Sequence, residues 1–185
     1  MRLVAGLLLL FCFGLTAKLP LMAQGMYSDW AAKWAGARDY TLAVADAMPD
    51  SLYTWRPDYP VRDTATGELR PARTFGNQLV HLADNIRWLS ASKLQDGERP
   101  ESGDVNEADK AAVRAYLEEA FAAGAEALQG LRIGVLDEEV EWFGGSRISR
   151  RRVGLLLFDH VTHHRAQAIV YLRMCGREAP GYVGW

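Results

Sequence analysis

Four stretches of this 185-residue chain carry apolar residues at helical spacing, and Pro- and Gly-rich segments separate them. That division restricts the chain to helix-on-helix architectures. The first stretch runs from Tyr27 to Met48, with Asp29 able to cap it, Trp30, Trp34 and Ala37 recurring at helical spacing, and Pro49-Asp50 closing it. Pro57, Pro60, Gly67 and Pro71 mark residues 51–73 as a connection, which Tyr53, Trp55 and Tyr59 should hold against the body. Thr74 opens the second helix, whose apolar stripe is Phe75, Leu79, Leu82, Ile86 and Leu89. A polar loop follows over 95–104. The third helix is expected from about Asn106 to Gln129, with Gly130 as its stop signal. Residues 131–148 are ambiguous: Ile133, Val135, Val140 and Trp142 could form two short strands about a turn at Gly144-Gly145. Ser146 or Ser149 caps the last helix, which continues to Cys175 and stops at Gly176. The expected fold is all-α: a four-helix bundle with one long crossover and a short hairpin or irregular segment before its last helix.

The beginning of the chain reads as an address. Met1-Arg2 precedes 15 apolar or small residues, Leu3 to Ala17, where a bilayer span needs roughly 20. Lys18 and Pro20 interrupt the run, and Ala23 offers a small residue before Gln24. Residues 1–23 are therefore expected to be a secretory signal and 24–185 the exported domain, with no membrane span after cleavage. The alternative is an uncleaved N-terminal anchor. Cleavage removes Arg2 and Lys18, leaving 19 basic residues against 23 acidic ones. It also removes Cys12, so Cys175 has no internal disulfide partner. This charge balance argues against nucleic acid as a partner. Arg147, Arg150, Arg151 and Arg152 form a basic run without interleaved aromatics, which reads as a solvated face. Six tryptophans exceed what a small core needs, which points to a homodimer.

The four histidines are the most informative residues. In Asp159-His160-Val161-Thr162-His163-His164-Arg165-Ala166-Gln167, His160 and His164 stand four apart on one helix face. Two imidazoles on one face can aim at one point, but a divalent ion needs a third donor. His81 supplies it from the second helix, because bundle metal sites are built from inward side chains on facing helices. Three imidazoles with open positions suit Zn or Ni first, and Fe or Mn as alternatives. His163 falls to the side, as a supporting or surface residue. Gln167 and Tyr171 continue the ligand face and Asn85 lies one turn beyond His81, which makes these three the candidate catalytic residues. Asp84 or Asp159 could orient a ligand imidazole. Val161 occupies the place where zinc peptidases carry a glutamate base, so peptide hydrolysis by that route is excluded.

These segments resemble the DinB-like (DinB/YfiT-type) metalloenzyme family, which is distinct from the DNA polymerase that shares the name. The resemblance rests on Phe75-Gly76-Asn77-Gln78-Leu79-Val80-His81-Leu82-Ala83-Asp84-Asn85 and on the Asp159–Gln167 run. It extends through Tyr171–Gly176 to Ala179-Pro180-Gly181-Tyr182, with Trp55-Arg56-Pro57 ahead of the second helix. Ala166 and Ala179 depart from the family's usual Gly and Pro, without touching the ligands. The resemblance implies an up-down-down-up bundle holding a metal through His81, His160 and His164. It also implies chemistry on a small molecule, and characterised relatives include thiol-dependent transferases. The export signal favours metal-assisted hydrolysis, because reduced thiols concentrate in the cytosol. A non-catalytic metal-binding or partner-binding bundle is the alternative.

Overall fold

The computed structural model describes residues 18–63 and 65–183, with side chains from Gly25 onward. The expected signal segment lies for the most part outside the described residues. Four long helices dominate: α1 (Lys18–Ala47), α2 (Phe75–Trp88), α3 (Lys110–Gly130) and α4 (Arg150–Met174). Two small antiparallel hairpins stand beside them, β1 (Pro60–Arg62) with β2 (Leu69–Pro71), and β3 (Glu139–Glu141) with β4 (Arg147–Ser149). Among the described residues, no helix is long and apolar enough to cross a membrane.

Around the bundle, α3 and α4 each pack between α1 and α2. Side-chain pairings give the directions. The start of α2 meets the segment before α3 where Asn77 donates to Glu107 at 2.6 Å, and further along Tyr116 donates to Asp84 at 2.6 Å, so α2 and α3 are parallel. Asp46 pairs with Arg114 while Trp34 Nε1 donates to the Phe121 carbonyl, so α1 and α3 are antiparallel. Gln78 reaches Tyr171, while the loop after α2 reaches Arg150, so α4 opposes α2. The order is up-down-down-up. Parallel neighbours α2 and α3 require the long crossover of residues 95–109.

The expected α2 stripe is its buried face: Phe75, Leu79, Leu82, Ile86 and Leu89 are all at most 1% exposed. Thr74 caps this helix by accepting from Asn77 N at 3.0 Å. The preceding loop satisfies two more of its free amides, with Phe75 N donating to the Trp55 carbonyl and Gly76 N to that of Tyr53. Tyr53 is fully buried and Trp55 packs against Tyr171, as expected of a loop held down, whereas Tyr59 stands out at 52% exposure.

Several expectations need correction. Helix α1 begins at Lys18, well before Tyr27, which leaves Asp29 inside the helix. Pro20 is compatible with that start, because first-turn amides have no intrahelical acceptor. Helix α3 begins at Lys110, not Asn106, since Asp109 caps it by accepting from Ala112 N. The connection 51–73 contains a hairpin. Only Val140 of the four ambiguous residues lies in a strand; Ile133 and Val135 form a 3₁₀ turn, while Gly144 and Gly145 adopt positive φ in the β3–β4 turn.

The arginine run is not wholly a solvated face: Arg147, Arg151 and Arg152 are exposed as expected, and Arg150 is not. Arg150 is 6% exposed, with Nη2 at 2.6 Å from both Asp96 carboxylate oxygens and Nη1 donating to the Lys93 and Leu94 carbonyls. It stitches the π-helical turn Leu89–Leu94 to the start of α4. Arg147 and Arg151 pair with Glu139 and Asp137. The described tryptophans are not surplus surface either: Trp34 is buried, and Trp30, Trp55, Trp88 and Trp142 pack against the core. That motive for a homodimer therefore disappears.

Candidate metal centre

Helices α2 and α4 bring His81, His160 and His164 together. Each presents a ring nitrogen within 4.8 Å of the others, and no carboxylate or thiolate joins this group among the described residues. Ring centroids are 4.4 Å apart for His160 and His164, 4.7 Å for His81 and His164, and 5.6 Å for His81 and His160. One helical turn accounts for the first spacing, and the antiparallel packing of α2 on α4 for the other two.

Burial keeps the rings neutral. Desolvation first, then the neighbouring positive groups, pushes His164 down to about 3 and His81 and His160 down to about 4. Neutral imidazole is the form that donates a lone pair to a metal. His164 Nδ1 lies 2.9 Å from Gln78 Oε1, an acceptor, so Nδ1 carries the hydrogen and Nε2 keeps its lone pair free. The Nδ1 of His160 is buried without a hydrogen-bond partner among the described residues. An orphaned imidazole nitrogen beside two further imidazoles is the donor set a transition ion takes. These residues fit such an ion, and the three rings could hold it.

His81 sits between two donors. Asn85 Nδ2 is 3.3 Å from its Nε2 and Arg73 Nη2 is 3.5 Å from its Nδ1. A neutral imidazole has one lone pair, so the ring can serve only one neighbour or a metal in their place. The amide of Asn85 also donates to the His81 carbonyl at 3.1 Å, which keeps it against the ring.

Gln167 and Tyr171 line a cavity of about 610 Å³ between α4 and the β1–β2 hairpin, and His164 forms part of its wall. His163 is exposed and meets Gln167 Nε2 at 2.9 Å, a surface position as expected. Neither acidic residue orients a ligand. Asp84 accepts from Tyr116 and from the Gly103 amide, and Asp159 is exposed. The orienting residue is Gln78, which also donates to the Tyr171 hydroxyl at 3.4 Å and so links that hydroxyl to His164. Gln78 has no evident role in the sequence pattern alone. Its spacing, one turn before His81 on the same helix, is the only signal that could have found it. Gln78→Leu should weaken metal affinity roughly 10- to 100-fold, as loss of an outer partner does elsewhere. Competition against a chromogenic chelator measures this; unchanged affinity would remove Gln78 from the centre.

A family model described as the DinB superfamily matches residues 33–168. Among solved structures, the fold is similar to that of a DinB-like protein from Bacillus cereus, with a TM-score of 0.63 and 21% identity over 84% of this chain and 97% of that one. It is similar also to the DinB-like protein YjoA from Bacillus subtilis, with a TM-score of 0.62 and 18% identity over 83% of this chain and 96% of that one. No curated protein matches the sequence. At these identities the structural likeness establishes the fold alone. The family match spans all three clustered histidines, and the chain belongs to the DinB superfamily.

Proposed function

We propose that this protein is an exported metalloenzyme that hydrolyses a small organic molecule at the three-histidine centre. One observation carries the reading: three neutral imidazoles converge beside a cavity large enough for a small molecule. When bound, a divalent transition ion supplies Lewis acidity, polarising a substrate carbonyl and acidifying a nucleophile. Zn or Ni suits an all-imidazole donor set best. Gln78 fixes the orientation of His164. Burial raises the Tyr171 pKa, so its hydroxyl stays protonated and able to donate to a substrate oxygen. Gln167 offers an amide on the same wall. The buried aliphatic and aromatic residues around α2 and α4 exclude water from one side of the centre.

Export rests on the N-terminal sequence. Intact mass of the secreted protein should correspond to residues 24–185. The activity is tested with a panel of small esters and lactones, comparing metal-free, Zn-loaded and Ni-loaded protein with and without added thiol. Metal-dependent, thiol-independent turnover that His164→Ala abolishes is the expected result. Turnover only with thiol would replace hydrolysis by thiol-dependent group transfer. No turnover across the panel would favour a non-catalytic metal-binding bundle.

A further inference from the structure

The cavity beside the histidine centre carries more positive charge than its surroundings balance. The β1–β2 hairpin and the residues that follow it bring Arg62, Arg70 and Arg73 to its wall. Two of these are already engaged. Arg62 donates to the Gly67 carbonyl of its own turn. Arg70 pairs with Asp63 at 3.2 Å, and the Ala65 and Thr66 amides hold that carboxyl below its usual range.

Arg73 differs from both in burial, since Arg62 and Arg70 are exposed. It is half-buried, its hydrogen-bond contact is the 3.5 Å approach to His81 Nδ1, and no acidic side chain pairs with it among the described residues. A guanidinium stays charged at any ordinary pH, and an unpaired one out of water is costly. The nearest acidic candidate on α2, Asp84, is committed to Tyr116 and Gly103. Arg70 adds a like charge. The three imidazoles are neutral, so an ion held by them would add to the positive field.

We propose that Arg73 is the anchor for a substrate carboxylate, and that the cavity takes a small organic monoanion. This inference rests on the reading of the histidine centre as the reactive site. Burial and shape select the class: Arg73 is the half-buried guanidinium of the three and has no carboxylate against it among the described residues, so a substrate carboxylate supplies the missing partner. The planar fork of arginine matches the two oxygens of a carboxylate. Val61 and Val170 on the same walls suit an apolar substrate body, while Gln167 and Tyr171 supply neutral hydrogen-bonding groups.

The test uses the full chain, metal-free, titrated with benzoate, with its neutral isostere benzamide and with inorganic phosphate. Calorimetry gives affinities, and arginine Nε–H resonances locate the contact. Benzoate should bind and shift the Arg73 resonance, with benzamide at least about tenfold weaker and phosphate no tighter than benzoate. Arg73→Met should weaken benzoate roughly tenfold to a hundredfold. Arg73→Lys should retain part of the affinity, and Arg147→Met, on the other hairpin, all of it. Arg73→Met should melt no earlier than wild type, because it removes an unbalanced charge; a lower midpoint would make Arg73 a structural residue and overturn the proposal. Benzoate binding that survives Arg73→Met, or a preference for phosphate or benzamide, would also overturn it. Binding is read without metal, so a failed carboxylate anchor and a failed metal centre give separate results.

Discussion

Acidifying the metal-free protein from pH 7 to pH 4 should remove on the order of several kcal/mol of folding stability. In the unfolded chain the three clustered histidines take up protons near the ordinary value of 6.5, while the fold holds His81 and His160 neutral to about 4 and His164 to about 3. Between those limits the unfolded state binds more protons, so stability is complete above pH 6.5 and falls as pH drops through the folded values. His81 and His160 are half-buried, and access of water reduces the loss below the full shift. Urea denaturation across this range measures it. The triple variant His81→Asn, His160→Asn, His164→Asn should show a much flatter profile. Equal slopes in the two proteins would mean that the rings are not held neutral by the fold.

Gly76→Ala should destabilise the protein by about 3 kcal/mol or more, a fall in Tm of roughly 6–12 °C. An added Cβ would stand 1.9 Å from the Glu107 carbonyl oxygen and 2.9 Å from its carbon. Backbone cannot swing aside as a side-chain tip can. The start of α2 would have to part from the segment before α3, breaking the bonds of Glu107 to Thr74 and Asn77 at 2.8 and 2.6 Å. Gln78 and His81 ride on that same stretch of helix, so metal affinity should fall with stability. Gly134→Ala is the control: its Cβ would meet nothing within 4 Å, and the change should stay within about 0.5 kcal/mol. Thermal melts of both variants decide it, and a neutral Gly76→Ala would show that the two segments are not in contact.

What the sequence made legible was periodic or local. The stripe Phe75–Leu89 repeats with the helix and is buried as expected. His160 and His164 meet because four residues make one turn, and His81 was found as the one histidine left on a core-facing helix. What escaped depends on residues distant in the chain. Arg150 looked like one member of a basic run, but its acidic partners, Asp96 and Glu138, stand in separate loops. Gln78 acquires its role from His164, 86 positions away. The β1–β2 hairpin consists of two three-residue strands with no buried position, so no alternation of apolar and polar residues announces it. Asp84 and Asp159 were reasonable carboxylate partners by spacing, but helix rotation aims one at Tyr116 and leaves the other exposed.

The central claim is that His81, His160 and His164 form one metal centre. Elemental mass spectrometry of the purified full chain tests it most directly, with wild type beside His81→Ala, His160→Ala and His164→Ala and helicity checked by circular dichroism. The account predicts close to one equivalent of a transition metal, Zn or Ni, in the wild type, lost in each variant while the helices survive. No metal after reconstitution, or a metal content indifferent to all three substitutions, would contradict it.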